Sequence, residues 1–182
     1  EKEKKLATNL NSISTETTKI LDSTSQLFAE TVVHIDKGGK FFWSSTLKGA
    51  KIKITDAIAE QTATESSGQR FILMEQPLND GTSRKKTWGI RVKKFGGWIG
   101  IGISLHNLIK NANFHFNYTV IGHGSYLISS NGYSWSHSQK EFNSAFKSFT
   151  FVVNDVIFIE YDPVALKLRF HKNTSTDPKD HF

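Results

Sequence analysis

Seven histidines, at positions 34, 106, 115, 123, 137, 171 and 181, are the side chains best suited to proton transfer near neutrality or to metal binding. A metal site needs such ligands brought together at a helical i, i+4 step or on facing strands, with a carboxylate or cysteine beside them. None of the seven stands at that spacing with a carboxylate close by, so neither a metal nor a cofactor is expected. Cysteine is absent, which removes disulfides, thiolate metal sites and cysteine nucleophiles together. No Gly-Lys-Ser/Thr element is present to cradle a phosphate, and no Gly-x-Ser-x-Gly elbow to expose a nucleophile. Gly100-x-Gly102 lacks a third glycine and sits inside a strand pattern. The 17 acidic residues form no acid and base pair readable from spacing. The expectation is a binding protein without catalytic residues.

Binding chemistry is better represented. Asn131-Gly132-Tyr133-Ser134-Trp135-Ser136-His137-Ser138 is polar apart from two large rings and reads as a loop between strands. Rings of this kind make contact anchors, because they bury much area with few rotors and carry a polar handle. Tyr133 and Trp135 are therefore candidate partner-binding residues, with Asn131 and His137 beside them. The alternative for Trp135 is packing back over the edge of its own sheet. His106-Asn107 through Asn113 is a second polar segment, following a strong strand, and also reads as a loop.

The elements that must carry these residues fall into two regions of a 182-residue chain. Residues 1–30 hold no Gly, Pro, Trp or Tyr, and Leu6, Ile13, Ile20 and Leu27 recur every seventh residue with Leu10, Thr17 and Thr24 between them. That is a heptad spacing. It predicts an N-terminal α-helix, either the end of a coiled coil that pairs two chains or an amphipathic helix that packs on its own domain. Residues 31–174 are rich in Gly, aromatic and β-branched residues and predict one all-β domain, with residues 175–182 as a flexible tail. Ala57–Ser67 is polar and reads as a loop.

Within the β region, Trp88, Ile90 and Val92 alternate with Gly89, Arg91 and Lys93, as in a half-buried strand. After the Gly96-Gly97 turn, Trp98–Ile103 puts three Ile on one face and Trp-Gly-Gly on the other, so something must approach those glycines closely. Further strands are expected at Phe71–Glu75, Phe114–Ile121, Tyr126–Ser129 and Phe149–Val153. Near the C-terminus, Asp162-Pro163-Val164-Ala165 has turn chemistry. A four-residue loop there would pair Tyr161 with Leu166, Ile159 with Leu168 and Ile157 with Phe170, and set Glu160 opposite Lys167. Lys167, Arg169 and His171 would then form an outward basic stripe.

The net charge is +6, spread along the chain. No apolar run approaches the ~20 residues that span a bilayer, and the charged Glu1–Lys5 start is no signal peptide, so no membrane association is expected. The absence of Cys fits an intracellular, cytoplasmic setting. The chain begins without Met, as expected for a piece of a longer protein.

Thr87-Trp88-Gly89-Ile90-Arg91-Val92 followed by Trp98-Ile99-Gly100-Ile101-Gly102-Ile103 resembles the core of the SPRY family. There a tryptophan–x–valine strand precedes a tryptophan–x–x–glycine–valine strand. Asn154-Asp155-Val156-Ile157, Glu160-Tyr161-Asp162 and Leu166 through Asn173 are similar to that family's final hairpin. Phe158 stands where glycine is usual and Arg169 where a small residue is usual. The resemblance implies a curved antiparallel β-sandwich, concanavalin-like, over residues 31–174. It also implies non-catalytic binding of a protein or peptide through loops at one end. By position those loops would be the one at His106 and Asn107 and the one from Tyr133 to His137. In tripartite-motif ubiquitin ligases a coiled coil precedes such a domain, so target recognition for a ligase or scaffold is implied. Two other readings stay open: a lectin-like carbohydrate site using Asn131, Tyr133, Trp135 and His137, and a nucleic-acid surface at Arg84-Lys85-Lys86 and Lys93-Lys94, which ranks below the others.

Overall fold

The computed structural model describes residues 41–62, 69–117, 120–173 and 176–182, all within one compact unit, Phe41–Phe182. The helix expected over residues 1–30 lies outside the described residues. The elements run β1 (Trp43–Lys48), β2 (Ile52–Thr55), β3 (Ile58–Gln61), β4 (Ile72–Met74), β5 (Lys86–Arg91), β6 (Gly100–Ser104), α1 (His106–Asn111), β7 (Ser125–Ser129), β8 (Asn131–Ser136), β9 (Ala145–Thr150), β10 (Val156–Asp162) and β11 (Lys167–Lys172). The described residues form an all-β fold with very little helix. A four-stranded sheet has the order β6-β7-β8-β9 and a three-stranded sheet the order β11-β10-β5; β1 pairs with β4, and β2 with β3. Every one of these pairings is antiparallel.

One apolar cluster draws on both larger sheets: Trp88, Ile157, Ile159 and Phe170 from one, Ile101, Ile128 and Phe149 from the other. Alternation explains who enters it. In β10, Ile157 and Ile159 are fully buried while the alternate residues Phe158 and Glu160 are partly exposed. Ile159 lies opposite Trp88 on one side and Phe170 on the other, so three buried side chains form a row across the sheet. Phe158 lies opposite Gly89 on the outer face, where a Cβ on Gly89 would sit 3.0 Å from the Phe158 ring. The missing side chain of Gly89 makes room for the ring that Phe158 adds.

The final hairpin forms, with a register shifted by two residues from the expected one. Ile159 pairs with Phe170, Tyr161 with Leu168 and Asp162 with Lys167. The cause is local. Asp162 Oδ1 accepts the N–H groups of Val164 (3.1 Å) and Ala165 (2.9 Å), so the aspartate closes the turn from inside the ladder. Leu166 becomes a turn residue, 80% exposed and left-handed at φ 51°. A shift of two keeps every side chain on its expected face, which is why the inward pattern alone could not detect it. Glu160 consequently faces Arg169 instead of Lys167, and its Oε1 lies 3.5 Å from His171 Nε2. Leu166→Gly should relieve the left-handed strain and raise stability by about 0.5–1 kcal/mol; a denaturant midpoint that falls would contradict this.

Other expectations are corrected. Ala57–Ser67 is not all loop: Ile58–Gln61 is β3, turned back on β2 at Asp56, whose φ is 53°. Among the described residues of 114–121 there is no strand. Asn113 and Phe114 are both left-handed (φ 51° and 59°), so the chain bends there, and His115 makes an isolated bridge to Arg70. The polar segment from His106 is a short helix, α1, held down by the fully buried Ile109. Asn131–Ser136 is strand β8, not a loop.

Residues 176–182, expected to be part of a flexible tail, form a strap. Phe182 exchanges both backbone hydrogen bonds with Phe170 (2.6 and 2.8 Å), and its ring stacks on that of Phe170. Lys172 Nζ and Asp180 Oδ1, both largely buried, meet at 3.2 Å.

Candidate functional site

The four-stranded sheet has a second face, away from the main cluster. Ile101 and Ile128 point to the main cluster, so Gly100, Gly102 and Leu127 point away. Leu127, Trp135 and Phe116 form a second buried cluster there, with Trp98, Tyr133 and Phe71 packed against it. Glycine makes the ring layer possible: a Cβ on Gly100 would lie 2.7 Å from the Trp98 indole, so the indole occupies the space that a side chain would fill.

Phe116 reaches this face without a strand. Phe71 N–H donates to Phe114 O (2.8 Å) and Phe116 N–H to Gln69 O (3.2 Å), a short antiparallel pair that carries Gln69 and Phe116 over the sheet. Between β8 and β9 the register shifts, with Asn131 opposite Thr150 but Tyr133 opposite Phe146. Gly132, between them, has φ 85°. At the bulge Ser148 Oγ donates to the Tyr133 carbonyl at 3.2 Å; Ser129 Oγ lies equally near that carbonyl, but its one proton goes to the shorter contact, Asn131 Oδ1 at 2.7 Å.

These residues line a pocket of about 230 Å³ whose walls are Gln69, Trp98, Phe116, Asn131, Tyr133 and Trp135. Its rings fall into two families. Trp98 and Phe116 are stacked (22°), as are Tyr133 and Trp135 (27°), whereas Trp98 and Phe116 each meet Trp135 nearly at right angles (77° and 82°). The result is an aromatic corner lined also by the amides of Gln69 and Asn131, suited to grip a small apolar or stacking group.

No protein-family model matches the chain, and comparison with curated proteins and with solved structures gives no significant match.

Of the candidate residues, Asn131, Tyr133 and Trp135 are brought together at the pocket. They sit there as residues of a strand face, not of a loop, and Trp135 is a buried wall with 8% of its surface exposed. His106 and Asn107 are exposed on α1 and are not among the lining residues. His137 has structural work: its Nδ1 accepts the Gly124 N–H at 2.9 Å. Trp98, Phe116 and Gln69 were missed. The signal for Trp98 was present in the Trp-x-Gly-x-Gly face; nothing in the pattern pointed to the other two.

His137 also stands beside His123, ring centroids 6.4 Å apart. His123 Nδ1 accepts from Ser125 N–H (3.2 Å), so the proton sits on Nε2 and is donated to Asn143 Oδ1 (2.8 Å). Burial pushes the His123 pKa below its ordinary value; the bond to Asn143 opposes this and His137 reinforces it. With the folded value depressed, the contribution of His123 to stability is complete above the unfolded pKa and is lost as the pH falls through the folded one. An NMR titration of the His123 ring should therefore give a midpoint below 6.5. Melting temperature should decline on acidification through the same range, less steeply in His123→Gln.

The basic segment at Arg84-Lys85-Lys86 is partly neutralised: Lys85 Nζ lies 3.1 Å from Asp162 Oδ2 and Lys86 Nζ 2.8 Å from Asp80 Oδ1. Lys85, after the Ala165 N–H, is what holds the Asp162 carboxyl below the usual carboxylate range. Among the described residues no group of three or more His, Asp or Glu could hold a metal ion, and no helix is long and apolar enough to cross a membrane.

Proposed function

We propose that residues 41–173 are a β-sandwich of the SPRY type that acts as a non-catalytic module for binding a protein or peptide, through the aromatic pocket on the outer face of its four-stranded sheet. Four features support the sandwich: the shared core of the two larger sheets, the pairing of the Trp88 strand with β10, the final hairpin, and the Asn173 lock at its base. In that lock Asn173 Oδ1 accepts the Val156 N–H (2.8 Å) and Asn173 Nδ2 donates to Asp155 Oδ1 (3.2 Å). The observation that carries the binding reading is the pocket itself: partly exposed rings of Trp98 and Tyr133 around a concave space, where an anchor side chain could be buried on several sides. Placing the site on a strand face departs from the loop site that the family resemblance implies. In a longer protein such a module would serve target recognition for a ubiquitin ligase or a scaffold.

A second reading, a carbohydrate site, draws on the same observation, since aromatic walls beside Asn131 and Gln69 also suit a sugar ring. Random peptides displayed on phage and a glycan array separate the two. The peptide reading expects a set of peptides captured by the chain and lost, by about tenfold or more in affinity, in Trp98→Ala, with cooperative unfolding retained. Glycan capture that depends on Trp98, with no Trp98-dependent peptide, would replace it.

A further inference from the structure

The hydrogen-bonding sense of the pocket narrows its occupant, on the reading that the pocket is a peptide site. No charged side chain lines it among the described residues: the lining residues' polar groups are the amides of Gln69 and Asn131, the Tyr133 hydroxyl and the indole N–H groups of Trp98 and Trp135, the last already directed at Ser129 Oγ. A carboxylate, phosphate or ammonium entering would lose hydration with no counter-charge to replace it. Aromatic faces do attract cations, but this chain is already at +6 and offers no carboxylate at the pocket wall. The anchor should be uncharged.

Asn131 is held in one sense. The hydroxyl of Ser129, fully buried, donates to Asn131 Oδ1 at 2.7 Å. The Trp135 indole N–H approaches the same hydroxyl oxygen at 3.4 Å, a long hydrogen bond. Protons therefore run one way, from indole to hydroxyl to amide oxygen. Oδ1 keeps one lone pair, and the donors this amide has left to offer an occupant are its Nδ2 hydrogens. The pocket presents ring faces and an oriented N–H donor.

We infer that the pocket receives a proline of an extended peptide, with a main-chain carbonyl beside the proline accepting from Asn131 Nδ2 and the pyrrolidine ring lying against Trp98 and Tyr133. Proline brings no backbone N–H that would need an acceptor among aromatic walls. Its fixed φ leaves little chain freedom to lose on binding. Its flat aliphatic ring suits aromatic grooves, as in other recognition of proline-rich segments.

The test uses random dodecapeptides displayed on phage, selected on the full chain and counter-screened on Trp98→Ala. The expected result is one fixed proline in the Trp98-dependent peptides. Replacing that proline by alanine should weaken binding about tenfold or more. Asn131→Asp keeps an acceptor for the Ser129 hydroxyl but removes the N–H donor; it should weaken the same peptides by a similar factor with an unchanged denaturation midpoint. Trp98-dependent peptides anchored by an aromatic or basic residue instead, or bound equally by Asn131→Asp, would overturn the proline assignment and leave the peptide site standing. A library without any Trp98-dependent peptide would overturn the peptide site itself.

Discussion

Trp135→Ala should cost about 3–5 kcal/mol of folding stability, a large fraction of the roughly 5–15 kcal/mol that a domain commonly has. The indole is 8% exposed and touches three other rings: Phe116 at 5.4 Å between centroids, Trp98 at 6.3 Å and Tyr133 at 6.3 Å. Truncation to a methyl group leaves a void between those rings and removes the N–H facing Ser129 Oγ. Chemical denaturation should show a large fall in midpoint. The pocket should also be lost, because Trp135 is one of its walls. A midpoint equal to that of the parent would mean that the indole is a free contact anchor, as its polar neighbours in the sequence suggest. Trp98→Ala should differ in kind, losing binding with a smaller loss of stability, since Trp98 is only partly buried.

Gly102→Val should be as damaging for the opposite reason. A Cβ at residue 102 would fall inside the van der Waals surface of the Tyr126 carbonyl oxygen and lie 2.5 Å from Leu127 Cα. Both obstacles involve backbone of the neighbouring strand, so no rotamer change relieves them. β6 would have to move away from β7 and weaken a ladder of five residue pairs, from Gly100↔Ser129 to Ser104↔Ser125. The expected cost is about 3 kcal/mol or more, accompanied by faster amide exchange in β6 and β7. Gly97 supplies the contrast: a Cβ there meets nothing within 4 Å, and Gly97→Ala should stay within about 0.5 kcal/mol of the parent.

These two residues also mark where sequence patterns were informative and where they failed. Alternation around Ile157, Ile159 and Phe170, and around Trp88, located the main core, because a strand with one face in that core must repeat every second residue. The same rule identified a face of Trp98, Gly100 and Gly102 that something must approach closely. It could not say what, because Leu127, Tyr126 and the rings over them come from other strands. Asn131–Ser136 misled for a physical reason. A strand whose serines are buried and hydrogen-bonded, such as Ser134 to the carbonyls of Phe142 and Ala145, is polar in composition and apolar in position. Phe116 and Gln69 were beyond reach, since a backbone pairing between residues 69–71 and 114–116 has no short-range signature. The hairpin error had the same root: Asp162 acted through its side chain, which a hydrophobic period does not record.

The strap over β11 has a colloidal consequence. A strand at the rim of a sheet is a self-templating surface, because its idle amides can recruit a strand from another molecule. Here Phe182 satisfies both backbone groups of Phe170 from within the chain. A shortened form lacking residues 176–182 would offer that rim to its neighbours and bare the phenyl ring of Phe170. Its first symptom in the laboratory would be turbidity that grows with protein concentration, before any change in ligand capture.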